Sequence, residues 1–316
     1  MPRPLPLLMA GVLLLFYADG FMIGAPWLLV LAFGVLAVPV LVGFVHHSDH
    51  GPAGTPHLTP VLLGSAGALA VLALSRGGLT SVVLAAAVVG CGGALLEPLS
   101  RGREPFQEAG APIYCGAFAG MTSELVLRHP GWVLLAGAVA GLLLTLLQHS
   151  WRGIGGKLGS TAFLAVVGTG VIAAAFGALG AGAQLHRFTT PEQGLLIGFA
   201  LLSPLVTHIL SYRCRLGAVL GSALPSLVVA LLAPKPLAAI WLGASFVGMT
   251  APERLAGHPI RSLLAMGALF GLFTLGFEPR LAGIGGDLGA TAAVSVFAVL
   301  GARALISGRG AGGAAA

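Results

Sequence analysis

Two ten-residue segments of this chain are nearly identical, GIGGKLGSTA at 153–162 and GIGGDLGATA at 283–292. Where they differ in charge, the first carries Lys157 and the second Asp287. A charge held within an apolar span costs roughly 2.5–3.5 kcal/mol on insertion scales, so such residues tend to pair or to function. One chemistry for the two is mutual pairing near an axis. Another is compensation of the dipoles of interrupted helices. A third has Asp287 binding a cation or a proton for which Lys157 competes. Each also lies near the start of its span, where it would be solvated at the membrane interface. We take both as buried and functional.

The flanking glycines strengthen that reading. Gly155, Gly156, Gly285 and Gly286 loosen or break a helix. In lipid, loosened backbone is tolerated only where it faces protein or a water-filled cavity. In transporters, half-helix ends of this kind point at the substrate. Thr161 and Thr291 follow in both segments and would add hydroxyls. The Gly155–Gly159 and Gly285–Gly289 spacings also suit close helix packing. The segment is not a nucleotide loop, because Leu158 stands where a P-loop places Ser or Thr after its Lys.

A second pair of segments matches upstream, CGAFAGMTSELVLRHP at 115–130 and LGASFVGMTAPERLAGHP at 242–259. It nominates Gly120, Met121 and Thr122 with Gly248, Met249 and Thr250 as substrate-contacting residues. The two threonine hydroxyls either line a pathway or bond back to a carbonyl one turn earlier. Glu124 and Glu253 follow as gate carboxylates or exposed helix ends. His129-Pro130 and His258-Pro259 mark helix starts, since proline suits the first helical position. His208, inside an apolar run, is a titratable group that joins Asp287, Glu124 and Glu253 as a coupling candidate. The loop HHSDHGPAGTPH at 46–57 offers His46, His47, Asp49 and His50 as weak candidates for a metal site. Its Pro and Gly make it a solvated loop, and no cysteine lies near, so no metal and no cofactor are expected. No G-x-S-x-G or HExxH occurs, so no enzyme is expected.

These motifs need elements to position them. With 57% hydrophobic and 8% charged residues and a mean hydropathy of +0.97, the chain cannot cover a water-exposed surface. It is an all-α polytopic membrane protein whose partner is the lipid bilayer. Three cysteines exclude a disulfide scaffold. The basic residues are scattered singly, so no nucleic acid is expected.

Twelve candidate spans can be drawn, of which 111–126 and 237–251 are short enough to re-enter rather than cross. Two N-terminal helices occupy 1–45 and the His-rich loop 46–58. Five spans at 59–180 and five at 193–306 form two repeats, joined by a linker at 181–192 and followed by a flexible tail at 307–316. The matched motifs recur at offsets of 128 to 130 residues, in the same order. Five is odd, so the second repeat enters from the opposite side, giving two inverted five-span repeats with Gly-broken helices.

With the N-terminus cytoplasmic, ten arginines fall inside (3, 101, 103, 152, 213, 215, 254, 261, 303 and 309). Outside fall Arg76, Arg128, Arg187, Arg280 and Lys235. This bias agrees with the positive-inside rule and places both termini in the cytoplasm of a prokaryotic-type inner membrane. The organisation implies secondary transport of a small ion or polar solute by alternating access, with a midplane site. The alternatives are a passive channel of similar, urea-channel-like organisation, and a membrane-embedded enzyme or assembly partner. Small-residue faces would also suit a homodimer.

Overall fold

The computed structural model describes residues 11, 14, 27–47, 54–78, 80–99, 108–180, 188–255, 257–281 and 283–307. It is all-helical, with 79% helix and no strand among these residues. Six helices are long and apolar enough to cross a membrane, consistent with a multi-pass membrane protein.

In chain order the helices are α1 (Trp27–His47), α2 (Leu58–Arg76), α3 (Val82–Leu99), α4 (Gly110–Gly120), α5 (Pro130–Leu146) and α6 (Lys157–Ala175). Then come α7 (Thr190–His208), continued by a π-turn at Ile209–Arg213, and α8 (Gly217–Leu232). The last are α9 (Lys235–Gly248), the single turn α10 (Pro252–Leu255), α11 (Pro259–Leu281) and α12 (Asp287–Ile306).

Local sequence fixes several starts. His129 caps α5, its Nδ1 accepting the Gly131 N–H at 3.0 Å, with Pro130 at the first helical position. Thr189 and Glu192 form a capping box at the start of α7. Gly156 and Gly286 precede α6 and α12 in the left-handed region, at φ 83° and 88°. Only glycine adopts that conformation without strain. The glycine runs therefore turn the chain into each helix rather than interrupting a helix midway.

The same packing pattern occurs twice. α2 packs on α4 and α5, and α7 packs on α9 and α11. Between the two sets, α3 lies against α8 and α6 against α12, while α1 packs along α12. Small residues allow these approaches. Gly64 meets Gly116 and Gly137, and Gly43 meets Gly301, with no room for a Cβ between them.

α4 has 11 residues and α9 has 14. At 1.5 Å per residue they are about 17 and 21 Å long, too short for a hydrocarbon core of about 30 Å. Every residue of α4 but Ala111 is buried, and so are Leu242–Gly248 of α9. Two short, buried helices thus end inside the molecule.

Candidate functional site

The ends of α4 and α9 meet at the centre. Phe118 and Phe246, which are 128 residues apart in sequence, stack edge to face with ring centroids 4.8 Å apart. Each helix then stops in the same way. Thr122 Oγ1 donates to the Ala119 carbonyl at 2.7 Å, and Thr250 Oγ1 donates to the Val247 carbonyl at 2.7 Å. The next amides leave the helical ladder. Ser123 N–H donates to the Gly283 carbonyl and Ala251 N–H to the Gly153 carbonyl, both at 2.9 Å. A helix ends where its donors find better acceptors, and here the acceptors are the glycine turns of the opposite half.

The threonines close the exchange. Gly285 N–H donates to Thr122 Oγ1 and Gly155 N–H donates to Thr250 Oγ1, each at 3.2 Å. A Cβ on Gly155 would stand 2.6 Å from Thr250 Oγ1, and one on Gly285 would stand 2.6 Å from Thr122 Oγ1. The GMT segments and the glycine turns are thus in direct reciprocal contact. The sequence placed both in one site, and the contacts bring them together. The threonines bond three residues back rather than four, which leaves their oxygens to accept from the other half.

Lys157 and Asp287 occupy matching first positions of α6 and α12 but do different things. Lys157 Nζ donates to the carbonyls of Leu147 at 2.7 Å and Gln148 at 3.2 Å, tying the end of α5 to the start of α6. Asp287 Oδ1 accepts the Leu288 N–H at 2.7 Å in the first turn of α12, where a carboxylate suits the helix dipole. The two are not paired with each other. Thr161 and Thr291 donate to the carbonyls of Lys157 and Asp287, one turn back, instead of facing a path.

Lys157 lies where two cavities adjoin. A cleft of about 760 Å³ is lined by His57, Glu108, Thr145, Gln148, Lys157 and Leu158, with apolar walls from Pro60, Leu63 and Pro112. A smaller cavity of about 290 Å³ is lined by Trp151, Gly153, Gly156, Lys157, Gly159, Tyr212 and Met249. Only Ala111, Lys157 and Leu158 border both. The large cleft mixes one cation, one carboxylate, an imidazole and an amide. That lining suits a small polar or charged solute.

The other coupling candidates sit apart. His208 is half-buried, with Nδ1 3.3 Å from the Gly248 carbonyl and its ring against Tyr212. The Tyr212 hydroxyl donates to the Met249 carbonyl at 2.8 Å, so the pair closes the end of α9. Glu253 is exposed on α10. Glu124 is exposed and forms an ion pair with Arg76 at 2.9 Å. Exposed pairs contribute about 0–1 kcal/mol, so Glu124→Gln should change thermal stability by no more than that. A larger loss in a thermal melt would assign Glu124 a buried role.

His46 and His47 end α1, and His47 Nδ1 lies 3.2 Å from Arg254 Nη1. Asp49 and His50 lie outside the described residues. Among the described residues no group of three His, Cys, Asp or Glu side chains is placed to hold a metal ion.

Three features carried no sequence signal. Tyr114 Oη lies 3.2 Å from Ser222 Oγ, which lies 2.7 Å from Ser245 Oγ, forming a buried hydroxyl chain between α4, α8 and α9. Serines beside glycine or alanine in an apolar run read as packing residues, and only the fold sets them against a tyrosine. Glu97 Oε1 accepts the Gly110 N–H at 2.9 Å, holding the start of α4 to α3. Trp151 is fully buried at a left-handed φ of 56°, packed between Phe44 and Phe297. No family model, no curated protein and no solved structure matches this chain.

Proposed function

We propose that this chain is a secondary transporter of a small ion or polar solute, working by alternating access between two inverted five-helix repeats. The single observation that carries the reading is the reciprocal exchange at the centre. Thr122 accepts from Gly285 and Thr250 accepts from Gly155 at the same distance. Equivalent bonds on the two sides of an axis make two conformations of nearly equal energy available, one the mirror in role of the other. The odd number of helices in each half supports the inversion. Short buried helices with non-helical ends are tolerated in a membrane only where protein or a water-filled cavity surrounds them.

A carrier fits better than an open channel. The large cleft is separated from the smaller cavity by Lys157 and Leu158, and Gly159 and Gly289 touch at the helix crossing. A passive channel needs a continuous opening at this level. Arg152, Arg254 and Arg303 cluster at one end, through bonds of Arg254 to the Arg152 carbonyl and of Arg303 to the Leu255 carbonyl. That clustering supports a cytoplasmic assignment of this end in an inner membrane.

The test is flux into liposomes holding the purified protein, over panels of cations, anions and uncharged polar solutes. The wild type is expected to give a saturating flux for one class. Thr122→Val/Thr250→Val keeps the side-chain shape but leaves two buried glycine amides without acceptors, at about 1–3 kcal/mol each. Flux in that variant should fall at least about tenfold with helix content unchanged. No flux for any solute, or equal flux in the variant, would sink the proposal.

A further inference from the structure

At the arginine-rich end lies a third cavity, of about 280 Å³, lined by His46, His47, Arg254, Leu300, Arg303, Ala304 and Ser307. It is built from the end of α1, the turn α10 and the end of α12. Its lining holds two guanidiniums and two imidazoles, and no carboxylate among the described residues. The guanidiniums are held in place rather than waving in solvent. Arg303 Nη1 donates to the Leu255 carbonyl at 2.8 Å and to Ser262 Oγ at 2.9 Å. Arg254 Nε donates to the Arg152 carbonyl at 3.0 Å. Fixing the forks by backbone carbonyls lowers the entropy lost when they engage an anion.

The electrostatics favour a phosphate. Arginine stays charged at any physiological pH. The ends of α1 and α12 each bring about half a negative charge. Two guanidiniums against two such ends leave a net charge of about +1 before either imidazole is protonated. A guanidinium fork also matches phosphate oxygens in pairs, which a carboxylate-free pocket leaves open to an outside ligand.

The surroundings say where the phosphate comes from. Leu300 and Ala304 form the apolar wall of the pocket. Beside it Val45 on α1 is 59% exposed and Ile306 on α12 is 87% exposed. In a helix bundle of this hydropathy such side chains face acyl chains. A polar, cationic hollow bordered by lipid-facing apolar residues is the form taken by headgroup sites between transmembrane helices.

We propose that this pocket binds a phosphate group, and that the phosphate is the headgroup of an anionic phospholipid seated between α1 and α12. The site stands apart from the cleft and holds whether or not the chain transports anything. It also changes the meaning of the histidines at the end of α1. Beside two arginines they are anion ligands, and a divalent cation would be repelled there.

The experiment is native mass spectrometry of the full chain. The protein is released from micelles with added phosphatidylglycerol or phosphatidylcholine, with and without millimolar inorganic phosphate. Each cation near a membrane surface contributes about fivefold in affinity for an anionic lipid. Arg254→Gln/Arg303→Gln should therefore retain phosphatidylglycerol about 25-fold more weakly than the wild type. Ser307→Glu adds a carboxylate at an exposed position whose hydroxyl only reaches the Ala304 carbonyl, and should weaken retention about fivefold without disturbing the fold. That variant keeps the test open if the double variant fails to fold. Preference for phosphatidylglycerol that survives inorganic phosphate supports the lipid source. Displacement by inorganic phosphate, with stabilisation by phosphate alone, supports the phosphate site and overturns its lipid source. Equal retention of both lipids by the wild type, unchanged in Ser307→Glu and with no effect of phosphate, overturns the site.

Discussion

Gly159→Ala is expected to destabilise the protein by about 1–3 kcal/mol, and Gly159→Leu to prevent recovery of a monodisperse folded protein. The sign is the informative part. In an exposed helix, replacing glycine by alanine stabilises by about 0.5–1 kcal/mol, because glycine loses more backbone freedom on folding. At Gly159 the gain is overridden. A Cβ there would stand 2.5 Å from the Cα of Gly289, and the obstacle is backbone rather than a flexible side-chain tip. Gly289 faces Gly159 in turn, so α6 and α12 cross on two glycines. Any side chain at that point must push the helices apart. Separation would also strain the Thr122–Gly285 and Thr250–Gly155 bonds, whose glycines immediately precede the same helices.

Gly168, farther along α6, is the internal control. A Cβ built there meets nothing within 4 Å. Gly168→Ala should therefore stabilise by about 0.5–1 kcal/mol. Reversible unfolding in mixed micelles reads both variants on one scale. If Gly159→Ala proved as stable as Gly168→Ala, the close crossing of α6 and α12 would be wrong.

What could be read in the sequence was what pattern alone controls. Apolar composition and scarce charge dictate helices in a membrane, and the described elements are helices of that kind. The recurrence of GMT and GIGG named residues that touch, because duplicated segments keep duplicated contacts. Position within the fold was another matter. Six described helices meet the length and hydropathy of a span, where twelve segments were expected, because α4, α5, α8 and α9 are shorter than the apolar stretches that contain them. Apolar sequence continues past a helix end when the chain there is buried. Met121 and Met249 illustrate this, since each follows the last turn and precedes a threonine that redirects the backbone. Roles within matched pairs were also hidden. Lys157 and Asp287 align perfectly, yet one reaches backward to carbonyls of α5 and the other holds an amide of its own helix. A cation seeks acceptors and a carboxylate seeks donors, so equal positions must find opposite partners. The Tyr114–Ser222–Ser245 chain was invisible for a simpler reason: its members lie 108 and 23 residues apart and belong to no repeat.

Lys157→Met should open the partition between the two cavities, with Cys115 as the built-in reporter. Lys157 Nζ makes two bonds to the last carbonyls of α5, and hydrogen bonds from a charged donor contribute roughly 1.5–3 kcal/mol. Those bonds exist only while the start of α6 is drawn against the end of α5. Removing them shifts any equilibrium between this arrangement and a parted one by about 10- to 100-fold. Cys115 senses the shift because its Sγ donates to the Leu158 carbonyl at 3.2 Å and is fully buried beneath α6. When the first turn of α6 moves away, that thiol loses its cover. In a background carrying Cys91→Ala and Cys214→Ser, maleimide labelling of Cys115 should accelerate about 10- to 100-fold in Lys157→Met. Lys157→Arg keeps a charged donor within reach of the same carbonyls and should label near the wild-type rate. Loss of packing alone would raise labelling in both variants and lower the unfolding midpoint with it. Unchanged labelling in Lys157→Met would mean that Lys157 holds nothing closed, and the cleft would then have to connect to the molecule's centre by another wall.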